Sequence, residues 1–223
     1  MLSRMVLNEQ FIVMAKFEYR QFEIHQVITR PEARIIRKGA TIPDDLSNRK
    51  ANALIVMQNP GSCLPREESK DGWQESIPDK TQYQLMRLME RMDWDELIIV
   101  NLSDMCEGDS FEFLRLLKIC ELQNVPNSRY ANNIKEFIEM TTLVEHVLYG
   151  WGSRPEAKRL AEEHGFLPLS GLDLNGKVPK AYWHKTRNYP RHPFPYLPNR
   201  CIEWIEEMTA IIKEQSEVTI KEF

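Results

Sequence analysis

The sequence predicts an α/β protein, a three-layer α/β/α sandwich around a mostly parallel central sheet. Two unbroken apolar runs of strand length, Ala53-Leu54-Ile55-Val56-Met57 and Leu97-Ile98-Ile99-Val100, have the pattern of strands covered on both faces. Between and after them lie segments whose apolar residues recur at helical spacing. Strand-like and helix-like segments then alternate along the chain, as parallel strands joined by crossover helices do.

The elements follow in order. Phe11-Ile12-Val13-Met14 and Phe22-Glu23-Ile24 predict an N-terminal hairpin or a pair of edge strands within a β-rich extension over residues 1–50. The run Ala53 to Met57 is the first buried strand. Leu85, Met86, Leu88, Met89 and Met92 form a helical stripe over Gln82 to Met92, and Leu97 to Val100 is the second buried strand. Helices are predicted over Phe111 to Ile119 and over Ser128 to Met140, the latter capped by Asn127 or Ser128. Leu143 to Tyr149 is a third strand, ended by Gly150-Trp151-Gly152. Arg154 to His164 follows as a helix with Pro155 in its first turn and Gly165 at its end. Phe166-Leu167-Pro168-Leu169 reads as a short fourth strand, and Asn199 to Gln215 as a C-terminal amphipathic helix. Residues 1–223 are read as a single domain, with its core over 53–200.

Composition narrows the class. The chain has 223 residues, 42% hydrophobic and 28% charged, enough for one sizeable core. No apolar stretch reaches the ~20 residues that span a bilayer, and Met1 to Glu9 lacks a basic flank followed by an apolar block, so the expectation is a cytoplasmic protein without a membrane partner. Cys63, Cys106, Cys120 and Cys201 contain no CxxC pair, which points to reduced structural thiols. His25, His146, His164 and His184 lack metal-ligand spacing, so no metal is expected.

Ligands of such sheets bind beyond the carboxyl ends of the strands. Here those ends carry Gln58-Asn59-Pro60-Gly61, Asn101-Leu102-Ser103-Asp104 and Gly150-Trp151-Gly152-Ser153. The stretch from Ser62 to Lys80 shows no clear period, as a functional loop or lid would. The net charge of −4 argues against a protein coated in positive potential, yet a basic strip is present. Between Asp173 and Glu203 there is no acidic residue, while Lys177, Lys180, Lys185, Arg187, Arg191 and Arg200 alternate with Tyr182, Trp183, Tyr189, Phe194 and Tyr196. Cations that neutralise phosphates, interleaved with rings that stack on bases, suit a nucleic-acid surface.

The order strand-Gln58-Asn59-Pro60-Gly61, strand-Asn101, strand-Gly150-Trp151-Gly152, then His192-Pro193-Phe194-Pro195 with Arg200, resembles the uracil-DNA glycosylase superfamily. The resemblance spans Ala53 to Arg200, and the same pattern is similar to a bacterial and phage family of unknown function. It implies a uracil-DNA-glycosylase-like fold and assigns roles. Asn59 falls where the superfamily orients the attacking water, and its Asn-Pro-Gly form is similar to the mismatch-specific branch. Asn101 matches the residue that reads the edge of a flipped base, and Gln58 and Gly61 border the same base site. His192 matches the donor to the base carbonyl. Phe194, Tyr196, Leu197 and Arg200 match the loop that presses on DNA, joined by Lys185, Arg187 and Arg191 of the basic strip. Some relatives carry an iron–sulfur cluster, for which the cysteine spacings here lack a tight pair.

The chemistry agrees with those roles. Breaking an N-glycosidic bond leaves negative charge on the base, which a His donor stabilises, and positive charge on the sugar. Asn positions water but cannot ionise, which implies a dissociative route. Departures also count. Gly61 stands where the uracil-specific branch has a Tyr that blocks 5-substituted pyrimidines, Phe194 stands where a Ser meets phosphate, and Tyr196 replaces the wedge Leu.

Structural readings stay open beside these. Asn59 before Pro-Gly fits a plain turn, Asn101 a cap at a strand end, and His192 a solvent-facing loop. The expectation is a cofactor-free DNA glycosylase-like hydrolase that cleaves the N-glycosidic bond of a flipped pyrimidine, mismatched or 5-modified, in single- or double-stranded DNA. The alternatives are a non-catalytic nucleic-acid or nucleotide binder on the same fold, and a hydrolase of free nucleosides or nucleotides.

Overall fold

A computed structural model describes residues 1–22, 25–62, 65, 71–131 and 133–220. Among these the chain forms an α/β structure with one six-stranded mixed sheet. Helix α1 (Arg4–Gln10) comes first, its Ser3 hydroxyl accepting from Val6 N–H. At seven residues it is too short to show a period, and sequence reading misses it. Strands β1 (Phe11–Phe22) and β2 (His25–Arg37) make a long antiparallel hairpin. Its turn, and part of the predicted run Phe22 to Ile24, lie outside the described residues.

The remaining elements are β3 (Ala51–Met57), β4 (Gly72–Glu75), α2 (Lys80–Met92), β5 (Glu96–Asn101), α3 (Ser110–Gln123), α4 (Ile134–Thr141), β6 (Val144–Tyr149), α5 (Pro155–Glu163) and α6 (Pro198–Ile220). Their order in the sheet is β4-β1-β2-β5-β3-β6. Among these strands β3 pairs in parallel with β5 and with β6; β1 with β2, β1 with β4 and β2 with β5 are antiparallel.

The expected mostly parallel sheet is therefore corrected to a mixed one, for two reasons. Phe166 to Leu169 forms no strand: Phe166 is instead fully buried in an aromatic cluster, its ring 4.6 Å from that of Phe137. On the other side, the N-terminal hairpin is no edge, because β2 joins β5 and β1 joins β4. Periodicity hides β2 because Glu32 and Arg34 interrupt it, yet both are buried. Arg34 Nε donates to Glu32 Oε1 and its NH1 group to Glu96 Oε1, each at 2.7 Å, so the buried charges are paired, although burial still raises the Glu32 pKa.

The central strands alternate as buried strands must. Leu54, Val56, Ile98 and Val100 pack with Phe113, Leu117, Phe137 and Leu160 of α3, α4 and α5. Ala53, Ile55, Leu97 and Ile99 pack with Leu7, Met86, Leu88 and Trp204 of α1, α2 and α6. Truncating a side chain such as Leu88, which has no exposure, costs about 2–5 kcal/mol.

Two further corrections concern loops. Helix α4 begins at Ile134 rather than Ser128, because the backbone ahead of it is tied elsewhere: Asp104 N–H donates to Asn127 O at 2.9 Å and Arg129 N–H to Asp104 Oδ2 at 2.5 Å. The stretch from Ser62 to Lys80, read as an aperiodic loop, contributes edge strand β4 and ends in a formal helix cap. Residues 63–64 and 66–70 of it, Cys63 included, lie outside the described residues.

Candidate functional site

The carboxyl ends of β5, β3 and β6 are stitched to one another by backbone bonds. Leu102 N–H donates to Met57 O at 2.9 Å, Ser103 N–H to Gln58 O at 3.0 Å and Gly150 N–H to Val56 O at 2.9 Å. The segment that carries His192 is laid along the same rim. Lys180 N–H donates to Val147 O at 2.8 Å, Gly152 N–H to Pro190 O at 3.0 Å and Arg191 N–H to Tyr182 O at 2.8 Å. Helix α6 holds this segment from behind through Trp204 Nε1–H to Arg191 O at 3.1 Å and Tyr182 O–H to Glu203 Oε1 at 2.6 Å. Gln84 of α2 in turn donates to Cys201 O at 2.5 Å, linking the two helices beneath it.

Glycines permit the close approach. A Cβ at Gly150 would meet Pro193 Cδ and Ile55 Cδ1, both at 3.2 Å. Gly152 has φ of +89°, and a Cβ there would lie 3.4 Å from His192 Cβ. The Gly-Trp-Gly turn thus lets the imidazole-bearing loop settle on the end of β6, with Trp151 buried as packing.

A cavity of about 1000 Å³ opens between these segments. Gln58, Asn59 and Gly61 line it from the β3 side; Arg191, His192, Phe194, Tyr196 and Arg200 line it from the other. Two residue groups far apart in sequence thus border one cavity.

His192 is half-buried, with Nδ1 3.1 Å from Phe194 N and 3.3 Å from Phe194 O. Burial pushes its pKa below the ordinary 6.5, opposed by the Phe194 backbone and by the charge of Asp79. The neutral ring accepts from the obligate donor, Phe194 N–H, so its proton resides on Nε2. His184, also on the cavity, is held in the same way by Thr186 N–H at 3.3 Å.

Asn59 Nδ2 donates to Glu107 O at 2.6 Å, which orients the amide and leaves Oδ1 for a ligand. Gln58 is bound only weakly, its Nε2 3.5 Å from Glu156 Oε1. Gly61 has φ of +66°, so a side chain there would be strained, and nothing nearer than 4.0 Å faces the position of its absent Cβ. Arg191 stacks on Tyr182 with its guanidinium carbon 4.8 Å from the ring centre. Its Nε is buried without a hydrogen-bond partner. Arg200 is exposed and paired with Glu203 at 2.6 Å. Tyr196 is 99% exposed and lines the cavity.

Other predicted residues lie elsewhere. Asn101 is fully buried with neither amide atom hydrogen-bonded, and it does not line the cavity. Lys185, Arg187 and Leu197 are exposed outside it. Lys180, read as part of the basic strip, is corrected to a buried residue whose Nζ donates to Ile212 O at 3.1 Å. It cannot reach a phosphate. Cys106, Cys120 and Cys201 are free thiols, and no cluster of His, Cys, Asp or Glu suited to a metal occurs among the described residues.

No family model, curated protein or solved structure matches the chain.

The site also holds residues the sequence reading passed over. Arg4 of α1, Arg154 before α5, and Asp79 before α2 all border the cavity. Asp79 was detectable: Asp-x-x-Gln directly ahead of the α2 stripe is a capping box, and here both of its bonds are made. Its place at the cavity was not, because only the fold brings the start of α2 to the ends of β3 and β6. Among the described residues no helix is long and apolar enough to cross a membrane.

Proposed function

We propose that this chain is a DNA glycosylase-like hydrolase of the uracil-DNA glycosylase superfamily, with a three-layer core of that type, acting on the N-glycosidic bond of a flipped pyrimidine. The observation that carries the proposal is that Asn59 and His192 border one cavity of about 1000 Å³, large enough for a nucleoside. In this reading His192 Nε2–H stabilises the departing base anion and Asn59 Oδ1 positions water for the sugar. The base edge falls to Gln58, whose amide offers both donor and acceptor at the cavity wall, since Asn101 is sealed in the interior. Gly61 leaves room for a mismatched or 5-modified pyrimidine. Tyr196 fills the gap left in the stack, and Arg191 takes a phosphate.

A second reading is supported by the acidic groups Glu107, Asp109 and Glu203 on the same border, which repel a polyanion. They favour hydrolysis of a free nucleoside or nucleotide. Base release from a panel of mismatched, uracil-containing and 5-modified duplexes, single strands and nucleosides tests both, with Asn59→Ala and His192→Ala as controls. Release from oligonucleotides with steep salt dependence supports the glycosylase, and release from nucleosides alone supports the second reading. Tight oligonucleotide binding without release from any substrate would mark a non-catalytic binder and end the enzymatic proposal.

A further inference from the structure

We infer that Asp79 is the catalytic carboxylate of this site, supplying from the N-terminus of α2 the negative charge that Asn59 cannot; the inference rests on the glycosylase reading above. The two oxygens of Asp79 have separate tasks. Oδ1 accepts Gln82 N–H at 2.7 Å, which holds the side chain, and Gln82 Oε1 accepts the Asp79 backbone N–H at 2.9 Å, which holds the main chain. Oδ2 is turned the other way, 4.0 Å from the point where a Cβ on Gly61 would stand. Gly61 lies two residues beyond Asn59, and both border the cavity with Asp79. The absence of a side chain at Gly61 keeps the space in front of Oδ2 open.

Asp79 and His192 border the same cavity, and the charge of Asp79 raises the proton affinity of His192 against the larger effect of burial. A carboxylate and a hydrogen-bond donor thus line one space. A glycosidic bond placed between them separates its charge toward both. The C1′–N bond breaks with its electron pair going to the ring nitrogen, and the base anion is held by His192 Nε2–H. The positive sugar faces Asp79. Water, accepted by Asn59 Oδ1 and Asp79 Oδ2, forms the C1′–O bond, and its proton passes to Asp79 and then to solvent. An amide at position 59 suffices because the carboxylate comes from another element.

The experiment uses Asp79→Asn in the full chain. Asn caps a helix as well as Asp does, so the α2 cap survives while the charge is removed. Base release is measured on the best substrate of the panel, with the His192 titration followed by NMR. The expected result is a kcat lower by about 10²–10⁴-fold, KM changed by less than about threefold, an unchanged melting temperature and a lower His192 midpoint. A variant that keeps kcat within about threefold of the parent overturns the role of Asp79 and leaves the glycosylase reading standing. A parent protein that releases no base from any substrate overturns both.

Discussion

Phe194 N–H donates to Nδ1 of His192 at 3.1 Å, and this bond leaves Nε2 as the nitrogen that carries the proton of the neutral ring. Its consequence is a pH-dependent turn. Burial sets the His192 pKa below 6.5, so the ring is neutral at neutral pH and gains its proton only as pH falls further. Once protonated, Nδ1 becomes a donor and must trade Phe194 N–H for Phe194 O, which lies 3.3 Å away. NMR should therefore show His192 and the Phe194 amide titrating with one shared midpoint below 6.5. His192→Ala should raise the barrier to base release by about 3–4 kcal/mol, the cost of one preorganised donor.

Gly152 should tolerate no side chain. Its φ of +89° disfavours any L residue, and a Cβ would press on His192 Cβ at 3.4 Å. Gly152→Ala is expected to cost at least about 1–2 kcal/mol in urea denaturation and to shift the His192 resonances. Gly39, with a φ of +100° and nothing near its missing Cβ, is the control: Gly39→Ala should lose stability without touching the His192 signals.

Asp104 should make stability depend on pH in the opposite sense from the histidine. It is fully buried, and desolvation raises its pKa from 3.8 to about 7 against the pull of Arg129 N–H and of the Arg20 and Arg129 charges. A raised native pKa means that the folded state holds the proton more tightly than the unfolded one. The stabilisation is complete below 3.8 and is lost as pH rises through about 7. The effect amounts to at most about 4 kcal/mol. Asp104→Asn, neutral throughout, should match the parent near pH 4 and exceed it near pH 8 in urea midpoint.

The rim residues should separate affinity from folding. Tyr196 is 99% exposed, so Tyr196→Ala should change the unfolding free energy by no more than the ~0.5 kcal/mol typical of surface changes while weakening oligonucleotide binding. Arg191, stacked on Tyr182, should contribute a phosphate contact: Arg191→Ala lowers the slope of log K against log salt by about 1. Arg200, already paired with Glu203, should contribute less to that slope.

The parts of this protein written in local pattern were legible. The five-residue apolar run of β3 and the run of β5, the stripe of α2, and Pro155 at the start of α5 each follow from neighbours a few residues away. The turns after β3 and β6 were legible as rim positions because short polar or glycine-bearing sequences follow buried strands, whereas the His192 segment follows no strand. Other parts depended on partners distant in sequence. Arg34 and Glu32 look like surface residues until Glu96 of β5 arrives beside them, and this conceals half of β2. Phe166 has the composition of a strand but is captured by the Phe137 and Tyr149 rings. Lys180 reads as a free cation until Ile212 O accepts from it.

For the site the division is similar. Asn59 and His192 could be named as candidates only through the order of the short segments that carry them, because an amide before Pro-Gly is also a common turn and an imidazole beside proline also a common loop residue. The burial of Asn101, the stacking of Arg191 and the place of Asp79 were decided by tertiary structure. Side-chain periodicity encodes which face an element buries, whereas the surroundings of a strand end or a helix cap depend on which other elements pack against it. An aspartate that only caps a helix and one that also borders a cavity have the same local sequence, and only the packing beside Gly61 tells them apart.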